Sequence, residues 1–211
     1  MNSLTPFELA CRPYDNTELE KAIQQNRLAY AREIIQNGVS QYDLSKALLD
    51  AVGRDGSEDF TLFCLDHGAD INLRYSSGAT ILSRFVHYSV EENISLNFIE
   101  TLLDRGAQVD PVEWDREVSP LDLALEEGRG DIAALLIKRY TNINYRDEEY
   151  NFTPLISVLY SKVPNKRELV AELLSRNVDT TLKDAYGSTA LMIAREQGDL
   201  EIIRMIEAHS A

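Results

Sequence analysis

The sequence predicts an all-α fold: a helix-turn-helix solenoid with short β-hairpin-like fingers between its repeats. Two observations lead to this prediction. A turn of the Gly-Ala-Asp-Ile-Asn type recurs along the chain, and each copy is followed, about a dozen residues later, by a Ser or Thr before an apolar stretch. Each such start precedes two short segments with helical apolar spacing. Repetition at intervals of 20 to 50 residues is typical of solenoids and related arrays.

The helix starts follow simple capping chemistry. A Ser or Thr hydroxyl accepts hydrogen bonds from the free N–H groups of a first helical turn, and proline at the first helical position loses no hydrogen bond. Four starts fit this pattern, at Thr80, Ser119, Thr153 and Thr189, and they are separated by 39, 34 and 36 residues. The recurring turn precedes them at residues 68–72 and 106–110, and in diverged form at 141–144 and 178–181.

The second helix of each predicted pair carries aliphatic residues one turn apart. These positions are Ile99, Leu102, Leu103, Ile132, Leu135, Leu136, Val170, Leu173, Leu174, Ile202, Ile203 and Ile206. Such a stripe forms one buried face of a helix. Because no single helix pair can cover its own stripe, the pairs are expected to stack on their neighbours.

This pattern resembles the ankyrin repeat, whose period is about 33 residues. The resemblance implies one ankyrin-repeat domain over residues 1–211, with an N-terminal cap over 1–16. Six repeats are expected, near 17–38, 39–72, 73–110, 111–144, 145–181 and 182–211. Two repeats lack a glycine after the second helix, where Tyr140 and Asn177 stand, so their local geometry is an open question.

Composition narrows the class of protein further. No stretch approaches a membrane-spanning run, and the first residues lack the charges and apolar core of a signal peptide, so a cytoplasmic location is expected. The chain has no Cys-x-x-Cys, no histidine pair at metal-binding spacing and no glycine-rich phosphate loop after a strand. We therefore expect no catalytic residues, no metal and no cofactor.

Charge points to the kind of partner. The chain has 21 basic and 35 acidic residues, a net charge of −14, which disfavours binding to nucleic-acid phosphates. Acidic residues concentrate between Asp110 and Glu127 and again at 147–149. In a stack of this type they are expected to lie in the fingers and on the concave face below them, where they favour a basic protein.

Aromatic residues lie among these carboxylates and complete a candidate binding surface. Trp and Tyr are frequent at binding hot spots. The predicted partner-binding residues are Tyr75, His87, Tyr88, Glu113, Trp114, Asp115, Glu117, Glu126, Glu127, Tyr145, Asp147, Glu148, Glu149, Tyr150, Tyr160, Asp184 and Tyr186. The alternative is that finger aromatics pack on the neighbouring finger and that the acidic loops are simply solvated. A basic loop at 162–167 is expected either to make a separate contact or to pair with acid on its own surface.

The resulting functional hypothesis is a non-catalytic module that binds a basic protein and is monomeric when free. By analogy with small acidic ankyrin chains, an inhibitor or immunity-type role against a toxin is favoured. Two alternatives remain open: an adaptor or pathogen effector that recruits other proteins, and a structural subunit that assembles with copies of itself.

Overall fold

The computed structural model describes residues 18–52, 57–74, 78–91, 93–109 and 118–209. The chain divides into two compact units, one ending at Gln108 and one beginning at Val109, and each is described separately. The predicted N-terminal cap over 1–16 lies outside the described residues, and the single domain over 1–211 stays a prediction.

The first unit contains six described helices. They are α1 (Glu18–Gln24), α2 (Leu28–Gln36), α3 (Gln41–Ala51), α4 (Ser57–Asp66), α5 (Ile81–His87) and α6 (Leu96–Asp104). Successive helices pair as α1 with α2, α3 with α4 and α5 with α6, and the first two pairs also pack on each other through α1–α3 and α2–α4.

The second unit also contains six described helices. They are α7 (Pro120–Glu126), α8 (Gly130–Arg139), α9 (Pro154–Tyr160), α10 (Lys166–Ser175), α11 (Ala190–Gln197) and α12 (Leu200–His209). The first helices form one layer, α7–α9–α11, and the second helices form another, α8–α10–α12. This two-layer stack of helix pairs is the predicted solenoid arrangement.

The four predicted capping residues begin helices as expected. The hydroxyls of Thr80, Ser119, Thr153 and Thr189 each accept a hydrogen bond from the backbone N–H three residues later. Loss of such a cap typically costs about 1 kcal/mol. Ser40 and Ser95 cap α3 and α6 in the same way, although the sequence pattern did not single them out.

Most of the predicted stripe residues lie in the core of each unit, whereas Leu135, Leu174 and Ile203 are only half-buried. Ile99 and Leu102 in the first unit, and Ile132, Leu136 and Val170 in the second, are fully buried. Burying one such side chain stabilises a fold by about 1.5–3 kcal/mol, so the stripes account for much of the stacking. The described parts of both units contain no helix long and apolar enough to cross a membrane.

The recurring turns link one repeat to the next through asparagine side chains. Asn72 Oδ1 accepts a hydrogen bond from Gln108 N at 2.9 Å, and Asn144 Oδ1 accepts one from Asp179 N at 2.8 Å. Asn177 has φ +58°, so it occupies the left-handed region that glycine takes in other repeats. Asparagine tolerates this conformation, so the missing glycine does not disturb the turn.

Candidate functional site

The first described finger of the second unit, residues 144–153, is held by one carboxylate. Asp147 accepts hydrogen bonds from the backbone N–H groups of Glu149, Tyr150 and Phe152, and its own N–H donates to Phe152 O at 3.0 Å. Asp147 therefore shapes the turn that presents Glu149 and Tyr150, in addition to being one of the predicted acidic contacts.

The second finger, residues 181–189, uses the same device. Asp184 Oδ1 accepts hydrogen bonds from Tyr186 N at 2.9 Å and from Ser188 N at 2.8 Å. An antiparallel bridge between Lys183 and Thr189 closes the finger at its base. Asp184 is only 5% exposed, so its side chain supports the finger from inside and does not offer itself as a surface contact.

The two fingers are hydrogen-bonded to each other. Ala185 N donates to Tyr150 O at 2.7 Å, and the Arg146 guanidinium donates to Lys183 O at 2.7 Å. These two bonds set the register between neighbouring fingers. The side chains that the fingers carry are consequently presented as one surface.

Four aromatic rings follow one another across this surface, and we call them the aromatic row: Tyr186, Tyr150, Phe152 and Tyr160. The centroid distances along the row are 6.5, 5.4 and 5.1 Å, and the interplanar angles are 23°, 30° and 29°. The packing of Tyr150 on Tyr186 is the finger-on-finger contact that the alternative interpretation expected. Although these rings pack on one another, three of them remain accessible: Tyr186 is 71%, Tyr160 46% and Tyr150 40% exposed.

The surroundings of the aromatic row are acidic. A hydrogen bond to the Glu149 carboxylate, followed by the charge on that group, raises the pKa of Tyr150. Burial, followed by the charges of Asp184 and Glu196, raises the pKa of Tyr160. Both phenols therefore keep their protons over a wider pH range than usual, and both lie in a negative electrostatic field.

Asp184 contributes to this field a carboxylate that has backbone hydrogen bonds on one oxygen but forms no ion pair among the described residues. Its second carboxylate oxygen, Oδ2, is buried and accepts no hydrogen bond from the described residues. Burying a charged oxygen without a partner is unfavourable unless another charge offsets it. The Asp184 carboxylate thus acts on the aromatic row through its charge.

The remaining predicted contacts of the second unit lie near α7 and the first finger. Glu126 and Glu148 are exposed, while Glu127 and Tyr145 are half-buried. Asp122, on the same helix as Glu126, was not predicted as a site residue. Burial raises the pKa of its carboxyl, whose Oδ2 accepts a hydrogen bond from Ser119.

In the first unit, the predicted pair His87 and Tyr88 lies at the end of α5. Their rings meet edge to face, with centroids 5.0 Å apart, and the Arg84 guanidinium lies 4.7 Å from the Tyr88 ring centroid. Five predicted contacts lie outside the described residues: Tyr75, Glu113, Trp114, Asp115 and Glu117.

Two cationic side chains of the basic loop at 162–167 make contacts within the second unit. Arg167 pairs with Asp199 at 3.1 Å and with Glu201 at 2.6 Å, and Lys166 Nζ donates to Leu159 O at 2.8 Å. For Arg167, the expectation of pairing with acid on its own surface is confirmed.

Sequence reasoning missed two residues of the surface, Phe152 and Glu196. Phe152 directly precedes the capping Thr153, so its position at the inner edge of a finger was a usable signal. Glu196 stands one repeat after Tyr160 at the same helical position, which places it beside the aromatic row. The spacing of the repeats was therefore sufficient to identify Glu196, whereas the amino-acid composition of the segment was not.

The described residues offer no metal-binding arrangement. They contain no group of three or more His, Cys, Asp or Glu side chains placed to hold a metal ion. Burial raises the pKa of the Cys64 thiol to about 12, so that this cysteine is neutral and acts as part of the core.

Known proteins share this architecture of stacked helix pairs joined by fingers. No family model matches the chain. The mouse B-cell lymphoma 3 protein homolog is 30% identical over 136 residues, which cover 64% of this chain and 28% of that protein. The putative ankyrin repeat protein R841 of Acanthamoeba polyphaga mimivirus is 27% identical over 142 residues, 64% of this chain and 24% of that protein. The chain spans about a quarter of the length of these curated relatives.

The fold itself matches a solved structure. The crystal structure of an ankyrin repeat domain from Acinetobacter baumannii superposes with a TM-score of 0.74 and 20% sequence identity, covering 93% of this chain and all of that one. The chain therefore has the fold of an ankyrin repeat domain, and its sequence is similar to that of an ankyrin repeat protein. This class implies a protein–protein interaction module, and the fold is typically non-catalytic.

Proposed function

We propose that this chain binds a basic protein partner through the fingers of its second unit and catalyses no reaction. The observation that best supports this proposal is the aromatic row. It combines three exposed tyrosines with the negative charges of Glu149, Asp184 and Glu196. Burial of the rigid aromatic side chains stabilises the complex. The carboxylates increase the rate of association with a cationic partner and orient it.

Within this function, an inhibitory role fits best. A basic toxin, such as a nuclease, presents cationic residues around its own binding cleft, and an acidic surface of this size is complementary to it. The proposed role is therefore that of a cytoplasmic inhibitor or immunity-type protein, monomeric before it meets its partner.

The proposal is tested by reversing charge at the finger and, as a matched control, on another helix. The finger variant carries Glu148→Lys and Glu149→Lys, and the control carries Glu168→Lys and Glu172→Lys on α10. Both change the net charge equally, so a purely long-range effect weakens both alike. Affinity capture from the source organism's lysate, followed by titration of the purified captured protein, should show binding lost in the finger variant and retained in the control.

Two outcomes separate the parts of this proposal. Equal binding by both variants would mean that the finger surface is not the site. If the captured protein is an enzyme and the chain inhibits it stoichiometrically, the inhibitory role stands; if its activity is unchanged in the complex, the adaptor role replaces it.

A further inference from the structure

In the first unit, three aromatic rings are covered by arginines of the same chain. Arg27 lies over Tyr30 with 4.7 Å between the guanidinium carbon and the ring centroid, and Arg32 lies over Phe63 at 5.2 Å. The third case is Arg84 over Tyr88 at 4.7 Å. Each of these three half-buried rings thus has a cationic group of its own chain on one face.

The aromatic row differs from these rings. Among the described residues, no arginine or lysine lies over Tyr150, Phe152, Tyr160 or Tyr186. The groups that act on the row are carboxylates: Glu149 raises the pKa of Tyr150, and Asp184 has one buried oxygen without a hydrogen-bond partner among the described residues. The row thus has the ring faces and the negative charge of a cation site without an internal cation.

The buried charge of Asp184 makes an external cation more favourable. Charge–charge attraction is stronger where water is excluded, because the local dielectric is lower than in bulk water. No ion pair with Asp184 forms among the described residues, so its charge is not cancelled before a partner arrives. A cation placed over the row is attracted by this charge, and the attraction is reduced by water at the exposed rings.

The geometry favours arginine over lysine. The guanidinium group is planar, stacks on aromatic faces and carries five N–H donors that fit a carboxylate in a two-pronged arrangement. It is also more weakly hydrated than an ammonium group, so stacking costs it less desolvation. The small interplanar angles along the row and the exposed Tyr186 ring suit such a flat group.

We propose that the aromatic row receives an arginine side chain of the protein partner, with its guanidinium stacked on the Tyr186 and Tyr150 rings and its N–H groups paired with Glu149. This inference rests on the proposed function and names the residue of the basic partner that the surface selects. Asp184 is a positioning and electrostatic residue of this site, since it holds the Tyr186 turn and supplies a negative charge.

The test uses the full chain and two peptide probes, hexa-arginine and hexa-lysine. Both peptides carry the same charge at pH 7, so a general acidic attraction binds them similarly. Isothermal titration at low salt should show hexa-arginine binding about two- to fivefold more tightly than hexa-lysine, as expected from stacking on an exposed tyrosine face.

Matched variants locate this selectivity. Tyr186→Leu removes an exposed ring of the row, and the arginine-to-lysine affinity ratio should fall to about one. Tyr30→Leu removes a ring already covered by Arg27 and should leave the ratio unchanged. Asp184→Asn keeps an oxygen for the turn but removes the charge, so hexa-arginine should bind severalfold more weakly while circular dichroism shows an intact fold.

The outcomes distinguish this inference from the proposed function. Equal affinity for the two peptides, with both weakened by Glu148→Lys and Glu149→Lys, would overturn arginine selection but leave the basic partner in place. Binding of neither peptide would overturn both. Arginine preference that persists in Tyr186→Leu would also overturn the inference, because the selection would then arise elsewhere.

Discussion

Three half-buried aromatic rings of the first unit and the aromatic row of the second have opposite surroundings. Tyr30, Phe63 and Tyr88 are each covered by an arginine of their own chain. In the second unit, Tyr150 and Tyr186 instead pack on each other within a field of carboxylates. The comparison teaches that aromatic residues alone do not mark a binding surface; what matters is whether the chain has already supplied the complementary charge.

The largest expected effect is loss of the finger that carries Tyr186. Asp184→Ala removes the side-chain acceptor of two backbone N–H groups and with it the hydrogen bonds that shape the turn. Hydrogen bonds to charged groups contribute about 1.5–3 kcal/mol each, so we expect the free energy of unfolding to fall by roughly 3 kcal/mol. Urea denaturation measures this change.

Two variants make the Asp184 result specific. Asp184→Asn retains an acceptor oxygen and should lose clearly less stability than the alanine variant. Glu148→Ala, at an exposed finger position, should be within about 0.5 kcal/mol of the natural chain. If Asp184→Ala were as stable as Glu148→Ala, the carboxylate would not be what holds the second finger.

A smaller effect tests the covered rings of the first unit. Arg84→Gln removes the guanidinium over Tyr88, and a cation–π contact of this kind is worth about 0.5–1 kcal/mol. We expect the urea midpoint of the variant to fall accordingly. Arg204→Gln, at an exposed position on α12, is the control, and an equal loss from both variants would show that the ring contact contributes nothing specific.

The smallest effect concerns the turns at the base of the two fingers of the second unit. In the first, Asn142 Oδ1 accepts a hydrogen bond from Asn144 N; in the second, Asp179 Oδ1 accepts bonds from Thr181 N and Oγ1. Those hydrogen bonds, that of the Thr181 side chain first, lower the pKa of Asp179 below its ordinary 3.8. Only the second turn therefore contains a carboxylate that titrates.

The sign of this pH dependence follows from the lowered pKa. The stabilisation is fully present above the pKa of the unfolded carboxyl and is lost as the pH falls through the lower folded value. Asp179→Asn, which copies the first turn, should therefore remove a small part of the acid sensitivity of unfolding. Urea midpoints of the two proteins between about pH 2 and pH 6 test this; parallel curves would contradict it.

Much of the fold was predictable because its signals are local. The hydroxyl caps at Thr80 and Thr153 act on N–H groups within one helical turn, so the sequence alone locates those helix starts. The aliphatic stripes were predictable for the same reason, since a period close to 3.6 residues requires no knowledge of neighbours. The turn at Asn177 needed the structure only to show that asparagine takes the left-handed conformation there.

The candidate surface was predictable only in part. Tyr150, Tyr160 and Tyr186 were identified from their positions in fingers and at helix ends, and the structure places them in one row. Asp184 was expected to be a surface contact, yet its carboxylate turns inward to the backbone. An aspartate in a turn has the same local sequence whether it faces solvent or its own chain, so burial had to be observed.

The sequence by itself determined that this chain is a stack of helix pairs and where four of those helices begin, and it led to the prediction of a basic partner. These properties depend on periodicity, capping and net charge, which are carried by neighbouring residues or by composition. Only the tertiary structure decided which aromatic rings are already covered by arginine and which lie among carboxylates. The contacts of Arg32 with Phe63 and of Tyr150 with Tyr186 join residues more than thirty positions apart, so no local pattern encodes them. Arg27 with Tyr30 and Arg84 with Tyr88 are three and four residues apart, a spacing at which helical side chains meet, so the structure was needed only to show that these contacts form.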